Sequence, residues 1–160
     1  MSAEGITVDD SMWPLVIVTF RSSATDADWR AMFSRYHAFY ARREPFHIVN
    51  DGMSFRSGPS ASQRKLIADE ARAHERESRL WVLGGATVVA NAVMRGIVTA
   101  ITWVAPPAYK LTLHATLADA VDEAFATLSA KRIDIPASAR RFRASLGGSK
   151  NAAAPFDGRS

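Results

Sequence analysis

Two serines and an arginine near the start of a predicted helix have types and spacing that suit anion chemistry. Ser60 and Ser62 stand where the helix begins, and Arg64 follows within its first turn. A phosphate on either serine, or a bound anion, would meet unpaired backbone N–H groups and the positive end of the helix dipole. The pattern predicts a phosphorylation or anion site, and its alternative is ordinary N-capping, the commoner use of serine at this position.

A second group of polar side chains follows the predicted core strand Phe46–Val49. Asp51, Ser54 and Arg56 occupy the loop after this strand. Because α/β folds hold ligands at the carboxyl ends of parallel strands, the loop is a candidate ligand or enzyme site. The tripeptide NDG that contains Asp51 is also a turn signal, which favours a structural role for this carboxylate.

Familiar catalytic and cofactor motifs are absent from the sequence. It contains no cysteine, no GxSxG nucleophile motif and no glycine-rich phosphate loop. The histidines fall on different predicted elements without His-x-His or HExxH spacing, and they are His37, His47, His74 and His114. We therefore predict no metal site, no cofactor and no catalysis.

The elements that must position these residues alternate along the chain. Runs of β-branched residues predict strands at Ile6–Val8, Leu15–Phe20, Phe46–Val49, Gly85–Ala90 and Tyr109–His114. Capping residues followed by apolar side chains at steps of three and four predict helices that begin near Thr25, Ser60, Asn91 and Thr116. The second of these helices is expected to run to about Arg79, and Asp9-Asp10-Ser11 is the expected turn of the first hairpin. This alternation predicts a layered α/β domain whose mostly parallel sheet has four to five strands, with an N-terminal hairpin and about four helices.

The predicted helix from Ala92 to about Val104 is apolar around most of its circumference. Its large apolar side chains are Val93, Met94, Ile97, Val98, Ile101 and Trp103. A helix that is apolar on all sides must be covered on all sides, so these residues are a candidate interface with a protein partner or a second copy. Cover by neighbouring elements of the same chain is the alternative. Gly96 in the helix interior suggests that another backbone approaches closely.

The basic charge of the chain is concentrated near its C-terminus. Residues 131–160 carry seven Lys and Arg against two Asp, whereas residues 1–130 carry 13 basic and 14 acidic residues. Because the chain beyond Pro136 lacks long apolar periodicity, we expect one domain over residues 1–136 and a flexible basic tail over 137–160. This tail raises nucleic-acid or anionic-partner binding as a further alternative, which we rank last because the domain itself is nearly neutral.

The sequence also bears on location. The longest charge-poor region, Leu80–Tyr109, is divided by Arg95 and interrupted by glycine and proline pairs, so we predict no membrane span. The first ten residues do not show the basic and apolar pattern of a secretory signal. We expect a cytoplasmic protein.

Two segments resemble a known group of proteins. The first segment is SASQRKLIADEARAHE, which follows a strand and a turn, and the second is GGATVVANAVMRGIVTAITW. Both are similar to an uncharacterised bacterial STAS-like family, named after sulphate transporters and anti-sigma-factor antagonists. The resemblance covers residues 5–128 and implies a non-enzymatic regulatory module that binds a protein partner, with a serine near Ser60–Ser62 as the position of a phosphorylation switch. The Asp-Ser-Ser-Gly type of phosphorylation motif is absent, because GPSAS stands in its place.

Overall fold

The computed structural model describes residues 5–147 of the chain. Within this range there are five strands: β1 (Ile6–Met12), β2 (Leu15–Phe20), β3 (Phe46–Gly52), β4 (Val82–Val89) and β5 (Leu111–His114). The same range has six helices: α1 (Asp26–Arg42), α2 (Ala61–Ala73), α3 (Glu75–Trp81), α4 (Ala92–Val104), α5 (Leu117–Ala130) and α6 (Ala137–Ser145).

The strands form a mixed sheet in the order β1-β2-β3-β4-β5. β1 pairs with β2 in antiparallel orientation, and each later pair is parallel. Each parallel neighbour is reached through at least one helix, because a chain that leaves one end of a parallel strand must return to the other end. The predicted α/β class with an N-terminal hairpin is confirmed.

The sheet has a hydrophobic core on each face. On one face the aromatic side chains of α1, among them Trp29, Tyr36 and Phe39, pack against β-strand residues such as Val16 and Ile48. On the other face the small residues of α5 and α6 pack against residues of β2, β3 and β4. The central strands are buried on both sides, which explains their continuous apolar sequence.

Several helix starts follow the predicted capping residues. Thr25 and Asp28 form a reciprocal capping box at the start of α1. Thr116 accepts a hydrogen bond from the backbone N–H of Asp119 at the start of α5. These short polar side chains satisfy N–H groups that the first helical turn leaves unpaired.

Several boundaries differ from the sequence prediction, since β4 begins at Val82 instead of Gly85 and β5 at Leu111 instead of Tyr109. The single helix expected from Ser60 to about Arg79 is divided at His74 into α2 and α3. The hairpin turn expected at Asp9 to Ser11 lies instead at Trp13 and Pro14, and β1 is irregular between Asp9 and Met12. The Asp-Asp-Ser signal therefore marks a bulge within β1.

The chain does not become irregular at residue 137, which corrects the predicted start of the flexible tail. Residues 137–145 form α6, in which Ala139 is fully buried in the second core. Phe142 of α6 and Leu146 just after it are partly buried against the same core. Arg143 holds α6 to α5 by donating hydrogen bonds to both carboxylate oxygens of Asp122, at 2.6 and 2.9 Å. The remainder of the predicted tail, residues 148–160, lies outside the described residues. Among the helices of residues 5–147, none is long and apolar enough to cross a membrane.

Candidate functional site

Helix α4 separates the six predicted interface residues into two groups. Met94 is buried in the core, and Ile97, Val98 and Ile101 are half-buried beside the α1 face of the sheet. Val93 and Trp103 are 72% and 82% exposed, and the neighbouring Val104 is 76% exposed. Met94 therefore belongs to the core and not to the candidate interface, which is reduced to the exposed side of α4.

Gly96 has open space around it. A Cβ atom built on Gly96 would meet no atom within 4 Å in the described part of the chain. The close backbone approach that the sequence suggested at this glycine does not occur within residues 5–147.

Between α1, α4 and the sheet lies an apolar cavity of about 210 Å³. Trp29, Phe33 and Tyr36 of α1 line one side, and the inward residues of α4 line the other. Phe20 and Phe55 stand together in the lining, with ring centroids 5.5 Å apart. No Asp, Glu, Lys, Arg or His belongs to the part of the lining that the structure describes. We refer to this space as the α4 cavity.

Two tyrosine hydroxyl groups provide polar atoms beside the α4 cavity. Tyr36 and Tyr109 line it, and within residues 5–147 neither hydroxyl has a hydrogen-bond partner. Burial raises the pKa of both phenols above the ordinary value of 10.0, so both remain neutral donors. Neither hydroxyl is among the fully enclosed unpartnered atoms of residues 5–147, so both are accessible to water or to a molecule in the cavity.

Other polar atoms in the lining are less available. The Asn50 side-chain amide donates to Thr87 Oγ1 at 3.1 Å, which joins the carboxyl halves of β3 and β4. Trp29 Nε1 is buried and has no acceptor among the described residues. The ring of Trp29 packs against the rings of Phe20, Phe33 and Phe55.

A narrower cleft of about 120 Å³ adjoins the α4 cavity and shares Tyr36 and Tyr109 with it. Its polar wall holds His37 from α1 and Glu70 and His74 from the end of α2. His37 Nε2 lies 2.8 Å from Glu70 Oε2, and His74 Nε2 lies 3.6 Å from the same oxygen. We call these three residues the histidine cluster. The sequence analysis missed it because spacing along the chain does not reveal how α1 crosses α2.

A second polar group lies on the α5 face of the sheet. His114 Nε2 is 2.5 Å from Glu123 Oε2, and the hydroxyl of Thr112 donates to the same oxygen. Burial is the largest single influence on the pKa of Glu123 and raises it, but the hydrogen bonds from Thr112 and His114 and the nearby imidazoles together hold this pKa below its ordinary value. His47 is 2% exposed on this face, and its Nδ1 has no partner in the described structure. His47 is thus enclosed, whereas His114 and Glu123 are partly exposed, and none of them lines either of the cavities described above.

The predicted anion site has its own local contacts. Ser60 is the N-cap of α2: its Oγ accepts from Gln63 N at 3.2 Å, while Gln63 Oε1 accepts from Ser60 N at 3.0 Å. This confirms the capping alternative. Ser62 is exposed with its Oγ 3.1 Å from Ser60 Oγ, and Arg64 donates to the carbonyl oxygen of Pro59 at 2.9 Å. Phosphorylation here stays a prediction.

The predicted ligand loop contributes to the α4 cavity through different residues. Gly52, Phe55 and Pro59 line the cavity, whereas Asp51, Ser54 and Arg56 do not. Asp51 Oδ1 accepts a hydrogen bond from Met53 N at 3.1 Å, which is the expected turn role. The position of the loop at the carboxyl end of β3 correctly indicated that it borders a cavity. The residues that form the cavity wall are its apolar ones and not the predicted polar ones.

Comparisons of the chain with protein-family models, curated proteins and solved structures found no match. The STAS-like resemblance stays a prediction, and the site must be interpreted from its own geometry.

Proposed function

We propose that this domain is a non-enzymatic binding module that holds a small, uncharged, largely apolar molecule in the α4 cavity. The observation that carries the proposal is that Tyr36 and Tyr109, whose hydroxyls have no partner among residues 5–147, line a largely apolar space. Binding pockets commonly combine apolar walls with a few polar groups that orient the ligand. The proposed site borders the predicted ligand loop, but its polar groups are the two tyrosines and not the polar residues of that loop.

The cavity restricts the size and charge of the ligand. An engineered cavity of about 150 Å³ admits benzene, so a space of about 210 Å³ suits a molecule of one or two rings. A charged group would lose its hydration without gaining a counter-ion, because the described lining has no charged side chain. A neutral molecule with one hydrogen-bond acceptor fits both restrictions.

The proposal can be tested with a matched pair of probes, 2-naphthol and naphthalene. Calorimetry on the full chain should give saturable binding of both. The Tyr36→Phe and Tyr109→Phe substitutions should weaken 2-naphthol binding about fivefold, the cost of one lost hydrogen bond, and leave naphthalene unchanged. Tyr40→Phe is the control, because the Tyr40 hydroxyl already lies 3.1 Å from Ser78 Oγ. Tyr40 lines the cleft of about 120 Å³ beside the histidine cluster and not the α4 cavity.

Location is tested by filling the cavity. Val98→Phe should abolish the binding of both probes while the circular dichroism of the domain remains native. If neither probe saturates the wild-type chain, or if Val98→Phe binds as well as wild type, the α4 cavity is not a ligand site.

A second candidate function is recognition of a protein segment, which the STAS-like resemblance also implies. A groove of about 480 Å³ between α2 and α4 is floored by Ala68, Ile97 and Ile101. The cationic side chains along it are Arg64, Lys65 and Arg72. Asp69 is the acidic partner recorded for Lys65 and Arg72, at 2.7 and 4.0 Å. The apolar floor and cationic border of this groove fit an amphipathic acidic segment of a partner protein.

A further inference from the structure

We propose that the histidine cluster, His37, Glu70 and His74, binds a divalent transition metal ion of the zinc class. The three side chains each offer one ligand atom, and these atoms lie within 4.8 Å of one another. Two imidazole nitrogens and one carboxylate oxygen form a donor set typical of zinc sites that keep an open position. The proposal does not depend on binding in the α4 cavity.

The geometry of the cluster is close to that of a coordinated ion. Ligand atoms about 2.0–2.1 Å from a tetrahedral zinc ion lie about 3.3 Å from each other. The observed separations from Glu70 Oε2, 2.8 Å to His37 Nε2 and 3.6 Å to His74 Nε2, lie on either side of that value. All three ligand atoms lie within 4.8 Å of one another, so coordination requires side-chain shifts on the order of 1 Å.

Both imidazoles approach the same carboxylate oxygen of Glu70. Glu70 and His74 are four residues apart, which places them on the same side of α2. His74 occupies the break between α2 and α3, although no glycine or proline interrupts the sequence there. The rings of His37 and His74 lie 4.1 Å apart, and Tyr40 stacks on His74 at 5.9 Å.

The surroundings leave room for a fourth ligand. The side chains of His37, Glu70 and His74 are 40%, 23% and 30% exposed, so an ion can enter from solvent. The adjoining cleft of about 120 Å³ has room for at least one water molecule beside the cluster. Zinc and cobalt(II) both suit imidazole and carboxylate ligands in this arrangement.

The test is titration of the untagged full chain with ZnCl₂ by calorimetry and with CoCl₂ by visible absorption. We expect one ion per chain and cobalt bands of low-coordination type. His37→Gln, Glu70→Gln and His74→Gln should each lower affinity at least about tenfold. His114→Gln is the matched control, since His114 also contacts a carboxylate but lies on the other face of the sheet.

Histidine NMR resonances provide a second measurement that does not require a variant to fold. Zinc should shift the ring signals of His37 and His74 and leave those of His47 and His114 in place. Absence of stoichiometric binding, equal affinity in the three cluster variants and wild type, or shifts confined to His47 and His114 would overturn the proposal.

Discussion

His47 illustrates how one residue can couple stability to pH. Its imidazole is enclosed beneath α5, and loss of hydration lowers its pKa from 6.5 to about 4. Glu123 opposes this shift and His114 adds to it, but desolvation is the largest cause. The folded protein therefore holds His47 neutral under conditions in which an exposed histidine is already protonated.

We predict that mild acidification destabilises the protein and that His47 causes this loss. The unfolded chain takes up the proton near pH 6.5 and the folded chain only near pH 4. This contribution is therefore fully favourable above pH 6.5 and is lost as pH falls toward 4. Between pH 7 and pH 5 it should lower the free energy of unfolding by about 2 kcal/mol. Urea denaturation of wild type and His47→Met at both pH values measures this difference.

The control is Val49→Ala, which weakens the same core without removing a titratable group. Its free energy of unfolding should depend on pH as that of wild type does. In His47→Met, the loss of this free energy between pH 7 and pH 5 should be smaller by about 2 kcal/mol. Equal pH dependence in all three proteins would mean that His47 is protonated in the folded state.

Single residues varied in how well the sequence predicted their roles. Thr25, Ser60, Asn91 and Thr116 were predictable as caps because capping depends on neighbours within about three residues. His37 and His74 were not predictable as a pair, because their contact depends on how two helices pack. Tyr109 was assigned only to a strand, and nothing in its sequence neighbours indicates that its hydroxyl borders a cavity.

At the scale of the element, two glycines near α4 should respond in opposite ways to the same substitution. Gly96→Ala should stabilise the protein by up to about 1 kcal/mol, because a Cβ atom there meets open space and glycine is a poor helix former. Gly58→Ala should destabilise it by about 1 kcal/mol or more, because φ is +67° and the added Cβ would lie 3.2 Å from Ile97 Cγ2.

Urea denaturation at pH 7 measures both changes. A destabilising Gly96→Ala would indicate that another chain or segment approaches α4 at this glycine. A neutral Gly58→Ala would show that the loop before α2 can move away from Ile97.

The long helices were predictable from their caps and periodicity, whereas the short helices α3 and α6 were not. The helix α6 was missed because a nine-residue segment rich in Ser, Ala and Arg has little apolar surface of its own. Ala139, Phe142 and Leu146 nevertheless recur at steps of three and four, which is the pattern of a helix with one buried face. The break at His74 had no comparable signal, since the sequence around it favours a continuous helix.

At the scale of the whole molecule, the order of strands and helices was predictable because each strand is a distinct β-branched or apolar run. The distribution of charge was less predictable. Arg140, Arg141 and Arg143 were assigned to a flexible tail, but they belong to α6, and Arg143 is paired with Asp122. The cations that border an apolar groove are instead on α2, on the opposite face of the sheet. This groove is the surface on which the acidic protein segment of the second candidate function would bind.

We therefore predict that an amphipathic helical peptide with leucine on one face and glutamate on the other binds the full chain. The same peptide with lysine in place of glutamate should not bind. Fluorescence anisotropy should show affinity that falls with salt, because part of it is electrostatic. Replacing both Lys65 and Arg72 by Glu should abolish binding. Replacing Arg140 and Arg141 by Glu changes the net charge equally on the far face and should have little effect. Equal losses in both variants would assign the binding to net charge, and a concentration-dependent increase in mass without peptide would assign the groove to a second copy.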